Sequence, residues 1–206
     1  MAYLDNIAIL DIETTGLDRR KCAVRGIGIV SYTDKLNEFY KEYDMFDGAE
    51  IKQEGMLDAV YFHDDKKTKD PEKDPVNVVY DVQSFLTANK CNVIGGQNPS
   101  FDRDFVNAYA ERYTLDFRIP IWMIDMHSVC MAYMLAKGIE VPRKPGIGLF
   151  LSGDAIHEFT GLGAEPKPHN ALNGARYEFE SLCRIIYGKS VLPQFKDRPV
   201  PKYLIK

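Results

Sequence analysis

The stretch Ile7–Leu17, IAILDIETTGL, decides how this chain is read. Ile7, Ile9, Leu10 and Ile12 mark a buried strand, and two acids, Asp11 and Glu13, interrupt it one residue apart. Side chains on a strand repeat their direction every second residue, so Asp11 and Glu13 share a face. A charge on a buried strand is costly unless it is paired or binds a metal. Two carboxylates on one face at a strand end therefore point to a divalent cation of the hard, oxygen-seeking kind. Solvation, or pairing with Arg19 or Arg25, is the competing reading of this segment alone.

The rest of the composition narrows the class. At 206 residues with 45% hydrophobic content, the chain can build one α/β domain with a core of its own. We expect a single domain over 1–206, with its core at about 5–190 and a tail at 191–206. No apolar run approaches the ~18 residues needed to cross a bilayer. The N-terminus MAYLDNIAIL lacks a basic leader and a cleavage pattern, so a cytoplasmic protein without a membrane partner is expected. Cys22, Cys91, Cys130 and Cys183 lie far apart and form no C-x-x-C pair, which removes a zinc or redox motif and suits small buried side chains in a reducing compartment. A net charge of −4 argues against nucleic-acid binding by bulk charge alone.

Outward from the first strand, Val24–Tyr32 reads as a second strand, with Gly26 and Gly28 allowing close approach of another element. Leu36–Tyr43 reads as a third, antiparallel to it. Strands before any helix indicate a mixed sheet rather than a doubly wound one. The charged, proline-bearing segment His63–Pro75 reads as a solvated loop, or alternatively a substrate-side lid. Helical periodicity then appears after Val78, followed by a short strand over Asn92–Gly96 and a helix over Asp102–Tyr113. Pro120–Met126 reads as a strand running into a helix over His127–Ala136, and Ser152 as the cap of a short helix. The last helix runs from near Asn170 to Tyr187 and stops at Gly188.

Two further segments carry chemistry. In GQNPSFDRDF, Gly96–Phe105, a strand ends in glycines and Asp102 follows a turn at the start of a helix. Asp102 is read either as a cap there or as a third metal-facing acid. In PKPHNALNGARYEFE, Pro166–Glu180, His169 sits on a proline-bounded loop before a helix. It is read as structural, or as a general base, since an imidazole titrates near neutrality.

Together, DIETTGL, NPSFD and HNAL resemble the DEDDh (DnaQ-like) 3′-to-5′ exonucleases of the ribonuclease H-like fold, in that family's order, from Ile7 to about Ile186. The segment Trp122–Leu135, with Asp125, resembles the stretch between that family's second and third motifs. The resemblance implies a mixed α/β fold: a central mixed sheet with antiparallel first strands and helices on both faces. It implies that Asp11, Glu13 and Asp102 hold a pair of divalent cations, Mg2+ or Mn2+, and that His169 activates water. It implies that Thr14, Thr15, Gly16 and Leu17 line the pocket of the terminal nucleotide, and that Asn98 and Phe101 shape the second motif, Phe101 from the core side. Arg19, Arg20, Arg103 and Lys167 lie near the motifs as candidate phosphate contacts.

One position departs from the pattern. The family has an aspartate five residues after the histidine, and here that position is Gly174. Glu178, one turn on, is a candidate substitute, reaching back about 5–6 Å, a helical pitch; an ordinary solvated glutamate is the competing reading. Asn173 offers a carbonyl oxygen but is turned ~100° away on the helix. Two functions stay in view: hydrolysis at the 3′ ends of single-stranded DNA or RNA, with a polymerase or other processing protein as a candidate partner, or a catalytically weakened fold that binds nucleic acid or such a partner.

Overall fold

The computed structural model describes residues 3–52, 70–119 and 121–205. Residues 63–69 of the segment expected to be a solvated loop, or alternatively a lid, lie outside them; residues 71–73 form a 3-10 turn capped by Asp70.

Three strands come first: β1 (Ile7–Thr14), β2 (Val24–Tyr32) and β3 (Leu36–Glu42). After α1 (Asn77–Ala88) come β4 (Val93–Gly96), α2 (Pro99–Arg112), β5 (Met123–Asp125) and α3 (Met126–Ala136). A small hairpin, β6 (Arg143–Lys144) and β7 (Gly148–Leu149), precedes α4 (Gly153–Phe159) and α5 (Ala171–Tyr187). The five-stranded sheet has the order β3-β2-β1-β4-β5, with β1–β2 and β2–β3 antiparallel and β1–β4 and β4–β5 parallel. This is the mixed sheet with antiparallel first strands expected from the sequence.

Side-chain alternation on β1 builds both layers. Ala8, Leu10 and Ile12 pack with Val79, Val82, Phe105 and Val106 of α1 and α2. Ile9 points the other way, with Met126 and Cys130 of α3 and Phe179 and Leu182 of α5. Each such fully buried aliphatic side chain contributes about 1.5–3 kcal/mol, so helices cover both faces as expected. Gly28 fixes the height of α5 over the sheet. A Cβ there would stand 2.1 Å from the Ala171 carbonyl oxygen and 2.3 Å from the Leu172 nitrogen. Its lack of a side chain lets the first turn of α5 lie directly on β2, opposite Asp11 in the β1–β2 register.

Several boundaries differ from the reading of the sequence. Helix α2 begins at Pro99 rather than Asp102, because Asn98 adopts a left-handed conformation (φ 56°) and Pro99 fits the first helical position. Asp102 thus lies within the first turn and is not a cap. Strand β5 is shorter than Pro120–Met126, with residue 120 outside the described set, and α3 starts one residue early, capped by Asp125. The β6–β7 hairpin was not expected.

The C-terminal segment is docked rather than a loose tail. Leu192, Phe195 and Leu204 are buried. Arg184, fully buried on α5, donates to Glu180 (2.9 Å) and to the carbonyls of Thr160, Phe195, Arg198 and Pro199. Glu180 in turn accepts the Val191 and Leu192 amides. The four cysteines are free and buried, as expected.

Candidate active site

The C-terminal end of β1, Gln97 just after β4, the α4 region, the loop that follows it and the first turns of α5 meet around one cleft. It has a volume of about 310 Å³ and is lined by Asp11, Glu13, Gln97, Asp154, Glu165, His169, Gly174 and Glu178, among others. Asp11 and Glu13 reach it because both point to the α5 face of β1, opposite Leu10 and Ile12. Asp102 lies beneath, buried, and its Oδ1 accepts the Ile12 amide at 3.1 Å. The backbone of β1 thus holds the third acid beside the first two.

The electrostatics follow from crowding. Burial, then the neighbouring Glu178, Glu13, Asp102 and Glu165 carboxylates, raise the Asp11 carboxyl well above its usual range. Burial pushes Asp102 up to about 8, the backbone amides partly offsetting it and Glu13 adding to it. Glu13 is pushed up to about 7 by burial, with His169 pulling it down. Glu178 rises well above its usual range, first through burial and then through Asp102, while the Gln97 amide stabilises its charged form. Raised carboxylates pressed against one another are what a cluster shows before a cation neutralises it.

Glu178 is buried, not the solvated helix glutamate of the competing reading, and its Oε2 has no hydrogen-bond partner. A buried acceptor left unmatched costs about 1–3 kcal/mol. It faces Asp11 and Asp102 closely enough to couple to both. Gly174 explains the room available: a Cβ there would stand 2.0 Å from Asp11 Oδ2. The Asp11 carboxylate itself therefore occupies the space into which an acid at 174 would grow. Asn173 is not among the cleft-lining residues. Asp11, Asp102 and Glu178 form an all-oxygen set suited to a hard cation, with Glu13 beside them. Among the described residues, no three acidic, histidine or cysteine side chains are already gathered in ligating geometry. The fit lies in the donor chemistry and the unmatched oxygen.

His169 reaches the same cleft, its Nδ1 3.2 Å from Glu165 Oε2. Glu165 was not singled out from the sequence; an acid four residues before a loop histidine is the only signal it gives there. His157 and Asp154 were also missed. His157 is buried against Ser181 (2.9 Å), and burial lowers it to about 4, so it stands neutral.

The residues expected to meet a terminal nucleotide divide into two groups. Leu17, Asn98 and Phe101 line a second cavity of about 210 Å³, together with Arg19, Ser100, Asp104 and Phe105. Leu17 is 71% exposed, and the Phe101 ring lies tilted at 49° to that of Phe105, with centroids 4.8 Å apart. Thr14 and Thr15 are buried instead. Thr14 Oγ1 donates to the Gly16 carbonyl, and Thr15 Oγ1 bridges the Glu50 carbonyl and the Ala23 amide. They shape the turn that presents Leu17 rather than offering free hydroxyls. Gly16 packs on Cys22, where a Cβ would stand 2.6 Å from the sulfur. Asp125 accepts the His127, Ser128 and Asn98 amides, tying the left-handed turn to α3. Arg19 and Arg20 line a further 220 Å³ cavity along α2 with Arg118, contiguous with the second through Arg19 and Asp104. Arg103 pairs with Asp104, and Lys167 does not line the cleft.

Solved structures share this architecture. E. coli exonuclease I in complex with a 5cy-dT13 oligonucleotide matches at TM-score 0.61 and 14% identity, over 88% of this chain and 41% of that one. The zinc-ion-bound form of the E. coli exonuclease I–ssDNA complex matches at 0.58 and 13%, over 89% and 41%. A moderately thermophilic exonuclease I from Methylocaldum szegediense matches at 0.60 and 17%, over 89% and 41%. The chain spans about two fifths of the length of these structures. At such identities the likeness establishes the fold: mixed α/β, ribonuclease H-like, as in exonuclease I. No protein-family model and no curated protein matches the chain. Among the described residues, no helix is long and apolar enough to cross a membrane.

Proposed function

We propose that this chain is a metal-dependent 3′-to-5′ exonuclease of the DEDDh type, releasing nucleoside monophosphates from single-stranded DNA or RNA ends. The observation that carries the reading is the crowding of Asp11, Glu13 and Glu178 in one cleft, with Asp102 buried beneath them and His169 at the edge, in an exonuclease I-like fold. Two of the similar structures are complexes with an oligonucleotide and with ssDNA, which supports a single-stranded substrate here.

Asp11, Asp102 and Glu178 would hold two divalent cations, Mg2+ or Mn2+, with Glu13 on the side of the attacking water. Bound there, the ions would acidify water and stabilise the departing oxygen. The remaining work falls to the chain. His169 accepts the proton of the attacking water as its oxygen bonds to phosphorus and the phosphorus–O3′ bond breaks; that proton finally balances the freed 3′ oxygen. Leu17 packs against the terminal base, with Phe101 supporting the cavity wall behind it. Arg19, Arg20 and Arg118 grip phosphates beyond it. No surface among the described residues points to a polymerase partner, and none is proposed.

Gly174 favours a second reading, a binding protein with weakened catalysis. A 5′-labelled single strand, incubated with Mg2+ or Mn2+, separates the two. Stepwise shortening from the 3′ end is expected, abolished by Asp11→Ala. No shortening with either ion, together with unchanged end binding by Asp11→Ala, overturns the enzyme and leaves the binder.

A further inference from the structure

Two carboxylates that line the cleft, Asp154 and Glu165, have no role in the proposed reaction so far, and of the two Glu165 is the one that touches His169. It lies on the loop between α4 and α5, with its side chain only 9% exposed. Its carboxylate is held from two sides: Oε2 lies 3.2 Å from His169 Nδ1, and the group also accepts the Asn170 amide. Asn170 is itself the cap of α5, its side chain accepting the Leu172 and Asn173 amides. Glu165 is thus fixed to the start of the helix that carries Glu178, and His169 is fixed to Glu165. The other oxygen, Oε1, is buried without a partner.

An isolated surface ion pair contributes little, and a loop needs no buried acid to close. This one sits where a neutral imidazole chooses its tautomer. Burial raises the Glu165 carboxyl, while His169 and the Asn170 amide hold it down; in its ionised form it only accepts, and Nδ1 then carries the hydrogen and leaves Nε2 as the lone-pair nitrogen. We infer that Glu165 is the positioning residue of His169: it holds the Nδ1–H tautomer, turns the basic Nε2 toward the cleft, and faces the imidazolium formed when His169 takes a proton. This inference rests on the proposed exonuclease reading for its catalytic part, and not for the tautomer. The logic is that of an acid behind a histidine base, in which the acid orients and does not itself take the proton.

The nitrogen-15 spectrum of the His169 ring in metal-free protein tests the arrangement without any turnover. Wild type is expected to show the Nδ1–H tautomer; an Nε2–H ring there overturns the inference by itself. Glu165→Gln, whose amide oxygen still accepts, is expected to keep that tautomer. Glu165→Leu is expected to lose it and to lower kcat about 10²-fold with KM within about twofold. In a His169→Gln background, Glu165→Leu should add no further loss; multiplicative losses would mean that Glu165 merely supports the fold. If wild type hydrolyses nothing with Mg2+ or Mn2+, the exonuclease reading fails, while the ring spectrum still decides the placement of Glu165.

Discussion

At the scale of single residues, the cleft is a store of carboxyl groups that the metal-free fold holds partly protonated. Glu13 and Asp102 are raised to about 7 and about 8 by burial, whereas an unfolded carboxyl titrates near 4. The native state then keeps protons that the unfolded chain has released. The stability these groups contribute is full below pH 4 and is lost as pH rises through 7 and 8. His157 acts in the opposite sense: lowered to about 4, it contributes above pH 6.5 and loses that contribution as pH falls toward 4. The window from pH 6.5 to 8.5 therefore belongs to the acids. Thermal unfolding of the metal-free protein should show Tm falling across it, and Mg2+ or Mn2+ should flatten the fall; a Tm that rises across it contradicts the cluster. Glu178→Gln removes a buried charge while keeping its shape. At pH 8 it should raise the metal-free Tm, shrink the shift that metal produces, and raise the metal concentration for half-maximal activity by about 10- to 100-fold. Full activity at unchanged metal demand removes Glu178 from the ligand set.

At the scale of elements, the site depends on how closely α5 lies on β2. Gly28→Ala places a methyl 2.1 Å from the Ala171 carbonyl, and backbone cannot swing aside as a side chain can. We expect a loss of about 1–3 kcal/mol, typical of overpacking, read as a lower urea midpoint, together with reduced activity because His169 and Glu178 move with the helix. A midpoint unchanged by Gly28→Ala contradicts the packing. Much of this level was legible in the sequence. The alternation around Asp11 and Glu13, the cap at Ser152 and the Asn170-to-Gly188 span of the last helix are local rules with local signals. Gly28 announced a close approach without saying of what. Asp102 was misplaced as a helix start because the decisive event, left-handed Asn98 ahead of Pro99, is a backbone conformation that the residue names only permit. Glu165 and the burial of Glu178 depend on what the folded chain brings near them, which no periodicity records.

At the scale of the whole molecule, two apolar layers sandwich the sheet, and the C-terminal segment is pinned to the second by Arg184. Nothing in the residues after Gly188 foretold this, because three of their backbone carbonyls, Phe195, Arg198 and Pro199, are gathered by one distant guanidinium. Arg184→Met leaves Glu180 buried and without its cation, and breaking such a pair costs about 3–5 kcal/mol. Limited proteolysis should then cut after residue 190 well before global unfolding; equal resistance to wild type refutes the pinning.

The 2.0 Å between Asp11 Oδ2 and the point where a Cβ at 174 would stand has a consequence for descent. An aspartate at 174 and the present pose of Asp11 compete for one seat, so position 174 is one setting of a toggle and not a gap awaiting its missing acid. Gly174→Asp alone evicts Asp11 and crowds another charge against Glu178, and its first effect should be lower activity. Recovery should come only when Glu178 is neutralised as well. The two positions are expected to change together across relatives of this chain, an acid at one answered by the loss of the acid at the other.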